Sequence, residues 1–109
     1  MELPPTGTAL GRVEDLPDPG GRVAEWEGSP LLLVRKGEDI RCYLNICPHA
    51  GRALSLPDGR VFVHKGEDVI CPVHGATFNV LSGKCTGGPA GDPLTGVDIK
   101  VVNGAIIAA

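Results

Sequence analysis

The alternation of apolar and polar positions divides the chain into short extended pieces rather than helices. Ala9 to Val13 reads as a first strand. Leu16-Pro17-Asp18-Pro19-Gly20-Gly21 reads as a loop, because two prolines and two glycines interrupt any regular element. Arg22 to Trp26 alternates and fits a second strand. Leu31 to Arg35 is a continuous apolar run of strand length, bounded by Pro30 and Gly37. Lys36-Gly37-Glu38-Asp39 then turns the chain into Ile40 to Ile46, the other arm of a hairpin. The pattern repeats with Val61 to His64, the turn Lys65-Gly66-Glu67-Asp68, and Val69-Ile70. Ala76 to Leu81 followed by Ser82-Gly83 reads as strand and turn, and Gly87 to Pro93 as loop only. Near the end, Val97 to Val102, Asn103-Gly104 and Ala105 to Ile107 form a hairpin on the favoured type I′ turn pair. No amphipathic helix emerges, since Gly or Pro interrupts each apolar-periodic stretch within about ten residues. The expectation is an all-β chain of antiparallel hairpins, in a sandwich or partly open barrel.

Composition sharpens this picture. The 109 residues suit one domain, residues 1–109, with a modest core. The only aromatic residues are Trp26, Tyr43, Phe62 and Phe78, so that core is built from Val, Leu, Ile and Ala. Sixteen glycines and ten prolines fit many tight turns. A net charge of −3 with interspersed signs offers no basic patch for nucleic acid. No apolar run approaches the ~18 residues of a membrane span. Met1-Glu2-Leu3-Pro4-Pro5 has neither the basic nor the apolar region of a signal peptide. A cytoplasmic location is therefore expected, with a monomer as the default state. Four cysteines in such a setting point to metal ligands or thiols rather than staples.

The chemistry concentrates in two segments, Cys47-Pro48-His49 and Cys71-Pro72-Val73-His74. Each combines a thiolate donor with an imidazole donor. Each follows a predicted strand, which places it on a loop at one end of a sheet. Each also follows a Lys-Gly-Glu-Asp turn, which hints at two equivalent halves of a pseudo-symmetric clamp. Cys₂His₂ is also a legitimate zinc set, although zinc fingers usually pair like donors with like, whereas here the donors mix within each loop. A zinc-stabilised binding domain is thus one reading of these residues. His64 reads as a solvated strand-end histidine, and Cys42 and Cys85 as small buried apolar side chains.

The pattern C-x-H followed by C-x-x-H-G, with Phe78 soon after, resembles the signature of Rieske iron–sulfur proteins. The resemblance runs from about Leu31 to the C-terminus. It implies one [2Fe–2S] cluster, with Cys47 and Cys71 on the inner iron and His49 and His74 on the outer iron. It implies cluster-binding loops at one tip, about 45–52 and 70–78, and a covering loop at about 86–91. High-potential members resemble C-T-H-x-x-C and C-P-C-H-G-S-x-Y, with a disulfide between the loops and two hydroxyls donating to sulfur. Here Arg52 or a neighbour, Val73, Ala76 and Phe78 stand at those positions, so bridge and hydroxyls are missing. Hydrogen bonds to sulfur stabilise the reduced cluster, so their loss implies a potential at the low end of the Rieske range. One departure is the twenty-one residues between His49 and Cys71, an excess placed at 57–64 and expected to form an enlarged hairpin near the tip.

Catalysis within the chain is not expected. The mononuclear iron of Rieske oxygenases takes two histidines and a carboxylate, and only His64 remains uncommitted. No GxGxxG follows a strand, so no nucleotide site is read. The resemblance implies a soluble ferredoxin that passes single electrons from a flavin-dependent NAD(P)H reductase to an oxygenase. The alternative it implies is a small Rieske-like subunit or regulatory module of a larger oxidoreductase, such as nitrite reductase.

Overall fold

Eleven short strands and one 3-10 turn make up the fold seen in a computed structural model, which describes residues 3–24, 26, 31–48, 51–73, 75–88 and 91–109. The strands form three antiparallel sheets. One outer sheet has the order β1-β11-β10, from Ala9–Arg12, Ala105–Ala108 and Ile99–Val102. The central sheet has the order β2-β3-β4-β9, from Gly20–Val23, Leu31–Lys36, Asp39–Leu44 and Gly96–Val97. The other outer sheet runs β5-β6-β7-β8, from Phe62–His64, Asp68–Ile70, Thr77–Asn79 and Cys85–Gly87. None closes into a barrel, so the all-β expectation holds in its open, layered form. No helix among the described residues is long and apolar enough to cross a membrane.

The continuous apolar run in β3 follows from its place in the middle layer. Successive strand side chains face opposite sides, so a strand buried on both faces has no polar phase. Leu31 and Leu33 enter one core with Leu10, Ile40, Cys42 and Ile106. Leu32 and Val34 enter the other with Tyr43, Val69, Phe78 and Val80. The second core also holds Cys47 and Cys71, both essentially inaccessible at 0% and 1% exposure.

Several sequence boundaries move. Gly20 and Gly21, read as loop, begin β2. A Cβ on Gly21 would lie 2.6 Å from the Leu33 carbonyl oxygen, so here glycine admits a close strand contact rather than breaking one. The strand ends at Val23 rather than Trp26, which packs partly buried against the first core. Val97 to Val102 is not one strand: Val97 pairs with Cys42 in the central sheet, whereas Ile99 begins the outer hairpin with β11. The chain changes sheets at Asp98. The Asn103-Gly104 turn is as expected, with φ of 50° and 80°. Within 76–81 only Thr77–Asn79 is strand, because the Asn79 side-chain oxygen accepts from Leu81 and Ser82 N–H, each at 3.0 Å. That cap turns the chain into β8, a strand within what read partly as loop.

The two Lys-Gly-Glu-Asp segments form different turns. Lys36 pairs with Asp39, leaving a two-residue turn, whereas His64 pairs with Asp68, leaving three residues with Lys65 at φ 51°. The 57–64 segment is not a free hairpin. Val23 N–H donates to the Gly59 carbonyl at 3.0 Å and Arg22 bridges to Arg60, tying this turn to the edge of β2. Its second half is β5.

Candidate metal centre

Two six-residue loops, 47–52 and 71–76, carry the sulfur donors. β4 leads into the first and β6 into the second, as the strand pattern predicts. In the first, Cys47 N–H donates to the Arg52 carbonyl at 2.7 Å and Gly51 N–H donates to the Cys47 carbonyl at 2.8 Å. In the second, Cys71 N–H donates to the Ala76 carbonyl at 2.8 Å and Gly75 N–H to the Cys71 carbonyl at 3.0 Å. Gly51 and Gly75 occupy the same place in each loop, at φ 66° and 75°, the left-handed region that glycine enters without strain. The loops are therefore equivalent in main-chain connection, although the turns before them are not.

This arrangement sets both thiols inward and the loop surfaces outward. Cys47 and Cys71 share one core with Leu54, Val61, Val69, Ala76 and Phe78. Gly51, Arg52, Pro72, Val73 and Gly75 are exposed. The fold thus brings two of the four sequence-predicted ligands into one buried apolar site. His49 and His74 lie outside the described residues, and among those described no group of three metal-binding side chains occurs. Two thiols presented from equivalent loops into one core fit a binuclear iron–sulfur group. They fit an isolated pair of packing cysteines poorly.

A third loop meets the second. Gly88 packs so closely that a Cβ there would lie 2.6 Å from Ala76 Cα and 3.1 Å from the Gly75 carbonyl oxygen. Contact between 86–91 and the second loop is therefore observed at Gly88, whereas Pro89 and Ala90 lie outside the described residues.

Other sequence candidates separate from the site. Cys42 lies in the opposite core, where burial pushes its thiol up to about 12. Cys85 packs against the core that holds Cys47 and Cys71 but is only partly buried, so the reading of a small buried apolar side chain holds in part. Its position on the short outer strand β8 accounts for the difference. His64 is exposed at the end of β5, as expected. Tyr43 is buried, its hydroxyl donates to the Val80 carbonyl at 2.9 Å, and burial raises its pKa while Arg41 opposes the shift.

Sequence reasoning passed over Asn45, the one buried polar residue among those described. Its side-chain oxygen accepts from Leu54 N–H at 2.8 Å and Ser55 N–H at 3.2 Å, and its amide donates to Ser55 Oγ at 2.9 Å. A lone asparagine between Leu44 and Ile46, just before the first ligand motif, was the available signal.

The fold agrees with comparisons to known proteins. The Rieske [2Fe-2S] domain family matches residues 7–102. The 3-phenylpropionate/cinnamic acid dioxygenase ferredoxin subunit of Photorhabdus laumondii is 33% identical over 94 residues, covering 86% of this chain and 85% of that subunit. The cytochrome b6-f complex iron–sulfur subunit of Chlorobaculum tepidum is 25% identical over 101 residues. That match covers 93% of this chain, which spans about half of the subunit's length, 52%. Among solved structures, the ferredoxin of carbazole 1,9a-dioxygenase from Nocardioides aromaticivorans IC177 superposes with a TM-score of 0.80 at 24% identity, covering 95% of this chain and 97% of that one. A chain from the complex of reduced oxygenase and oxidized ferredoxin in carbazole 1,9a-dioxygenase gives 0.77 at 25% identity, covering 94% and 91%.

Proposed function

The chain belongs to the Rieske [2Fe-2S] domain family, and on that premise we propose that it is a one-electron carrier whose single cluster is held by Cys47, His49, Cys71 and His74. The observation that carries this reading is the pair of equivalent loops that set Cys47 and Cys71 into one apolar core. Such a cluster takes up and releases one electron at a time, at a potential raised by two imidazole ligands in place of two thiolates.

The chain's own residues set the conditions for that exchange. Leu54, Val61, Val69 and Phe78 keep water from the sulfur side of the site. Pro72, Val73 and Arg52 leave the loop surfaces open to a partner. Ala76 and Phe78 bring no hydroxyl toward the second loop, which favours a potential at the low end of the Rieske range. The donor in this reading is a flavin-dependent NAD(P)H reductase and the acceptor an oxygenase. Support comes from relatives named as dioxygenase ferredoxin subunits and from the similar chain in the complex of reduced oxygenase and oxidized ferredoxin of carbazole 1,9a-dioxygenase. A carrier must also let go, so the contact around the two loops is expected near or below the ~1,200 Å² low end of protein interfaces.

Anaerobically purified chain is expected to contain about two iron and two acid-labile sulfide, and on reduction to give a rhombic Rieske paramagnetic resonance signal. One zinc per chain with no such signal overturns the reading. His74→Cys adds a negative ligand, so any retained cluster shifts to lower potential; an unchanged potential contradicts His74 as a ligand. NADH with a flavin reductase of a dioxygenase system is expected to bleach the visible absorption.

A further inference from the structure

The two cysteine loops are equivalent, but the segments that close them are not. After the second loop the chain runs directly into β7. There Ile70 pairs with Thr77 and Val69 with Phe78, so a β-ladder seals the base of the loop. After the first loop the chain does not run directly into a strand paired with β4: residues 53–61 are irregular, and β9, which does pair with β4, comes only at Gly96–Val97. Yet the equivalent positions are still joined. Asn45 stands two residues before Cys47, as Val69 does before Cys71, and Leu54 follows Cys47 by seven, as Phe78 follows Cys71. In the second loop these positions are ladder partners. In the first, the Leu54 N–H donates to Asn45 Oδ1 at 2.8 Å. A side-chain carbonyl occupies the place of a ladder acceptor.

Three further facts support this role. Leu54 and Phe78 are both fully buried and share the core that contains Cys47 and Cys71. The same Asn45 oxygen takes a second donor, Ser55 N–H at 3.2 Å, and the Asn45 amide donates to Ser55 Oγ at 2.9 Å, so its polar atoms are satisfied despite 6% exposure. An unpaired amide N–H at Leu54 would be costly at such depth, so the side chain is bound to its task.

We propose that Asn45 is a positioning residue for the first half of the site: its carboxamide stands in for a missing strand and fixes the loop that presents Cys47. This rests on the cluster reading above, with Cys47 as a ligand. Residues outside the ligand shell that orient ligands typically change metal affinity by about 10–100-fold when removed. Asn45→Ala is therefore expected to release iron to a chelator about 10–100-fold faster than the parent and to alter the paramagnetic resonance line shape. Asn45→Asp keeps an oxygen acceptor for Leu54 and Ser55 and is expected to restore slow release and the parental line shape. Ile106→Val, in the opposite core, is the matched control; it lowers the Tm without touching release or line shape.

The outcomes separate cleanly. A parent chain without iron and sulfide defeats the cluster reading itself. A loaded parent whose Asn45→Ala variant loses Tm like Ile106→Val, with release and line shape unchanged, overturns the positioning role alone. If Asn45→Ala does not fold, hydrogen exchange on the loaded parent decides. A peptide covering 53–56 is expected to be protected to the same degree as one covering 76–79. Exchange at the rate of an exposed loop overturns the proposal.

Discussion

Phe78 and Cys42 are buried side chains on ladder strands, in opposite cores, and each answers to a different constraint. Phe78 shares its core with Cys47 and Cys71 and offers no hydroxyl. Phe78→Tyr adds one beside the sulfurs, and a hydrogen bond to sulfur favours the reduced state. The midpoint potential is expected to rise by roughly 20–65 mV, the one-electron equivalent of a net hydrogen bond of about 0.5–1.5 kcal/mol. Protein-film voltammetry reads this directly, and a lower Tm without a potential shift would show that the hydroxyl finds no sulfur. Cys42 is held as the neutral thiol, its pKa raised by burial from 9.0 to about 12. The unfolded chain loses that proton first as pH rises. The associated stability is full below about pH 9 and drains away toward pH 12. Thermal melts between pH 8 and 10.5 are expected to fall less steeply in Cys42→Ala, by up to about 1.4 kcal/mol per pH unit. Identical slopes would remove Cys42 from the alkaline limb. Of these residue positions, Cys47 and Cys71 on loops that follow strands were legible in the sequence, because a strand-like apolar run precedes each. Asn45 was not, because its partners at Leu54 and Ser55 lie beyond the motif and only the folded chain brings them back.

The elements show why some boundaries read correctly and others did not. The β3–β4 and β10–β11 hairpins were legible because turn residues and apolar runs agree there. Gly20-Gly21 misled because glycine has two uses: it breaks strands, and it admits strands that approach too closely for a Cβ. The repeated Lys-Gly-Glu-Asp misled differently, since pairing partners rather than local sequence decide whether two or three residues make the turn. The loop carrying Gly88 offers a test at this scale. Gly88→Ala places a methyl 2.6 Å from Ala76 Cα at φ 81°, so loop and ligand segment must separate. A loss of about 1–3 kcal/mol in stability is expected, with faster bleaching of the visible spectrum in air. Bleaching at the parental rate would mean that the 86–91 segment does not shield the site.

Across the whole molecule, two cores share one central sheet, and only one of them contains Cys47 and Cys71. Removing the metal is therefore expected to act unevenly. Hydrogen exchange should rise over residues 45–56 and 70–78, while β1, β10 and β11, packed through Leu10 and Ile106, keep their protection. Uniform loss of protection would show that the cores fold only together. The layered plan was the least legible property, because a run such as Leu31–Val34 announces burial on both faces without saying what lies on either. That same run has a consequence for fidelity. In most strands a slip by one residue throws polar side chains inward and is rejected by water itself. In β3 the four consecutive apolar side chains would merely exchange cores, so hydrophobicity offers no proofreading over that stretch. The burden passes to shape: the Leu33 carbonyl lies 2.6 Å from where a Cβ on Gly21 would stand, so it accepts only a glycine there, and the tight Lys36–Asp39 turn counts residues from the other end. Mistakes in assembling this chain should accordingly arise from changes at those two small places, far more than from exchanging one leucine for another aliphatic side chain.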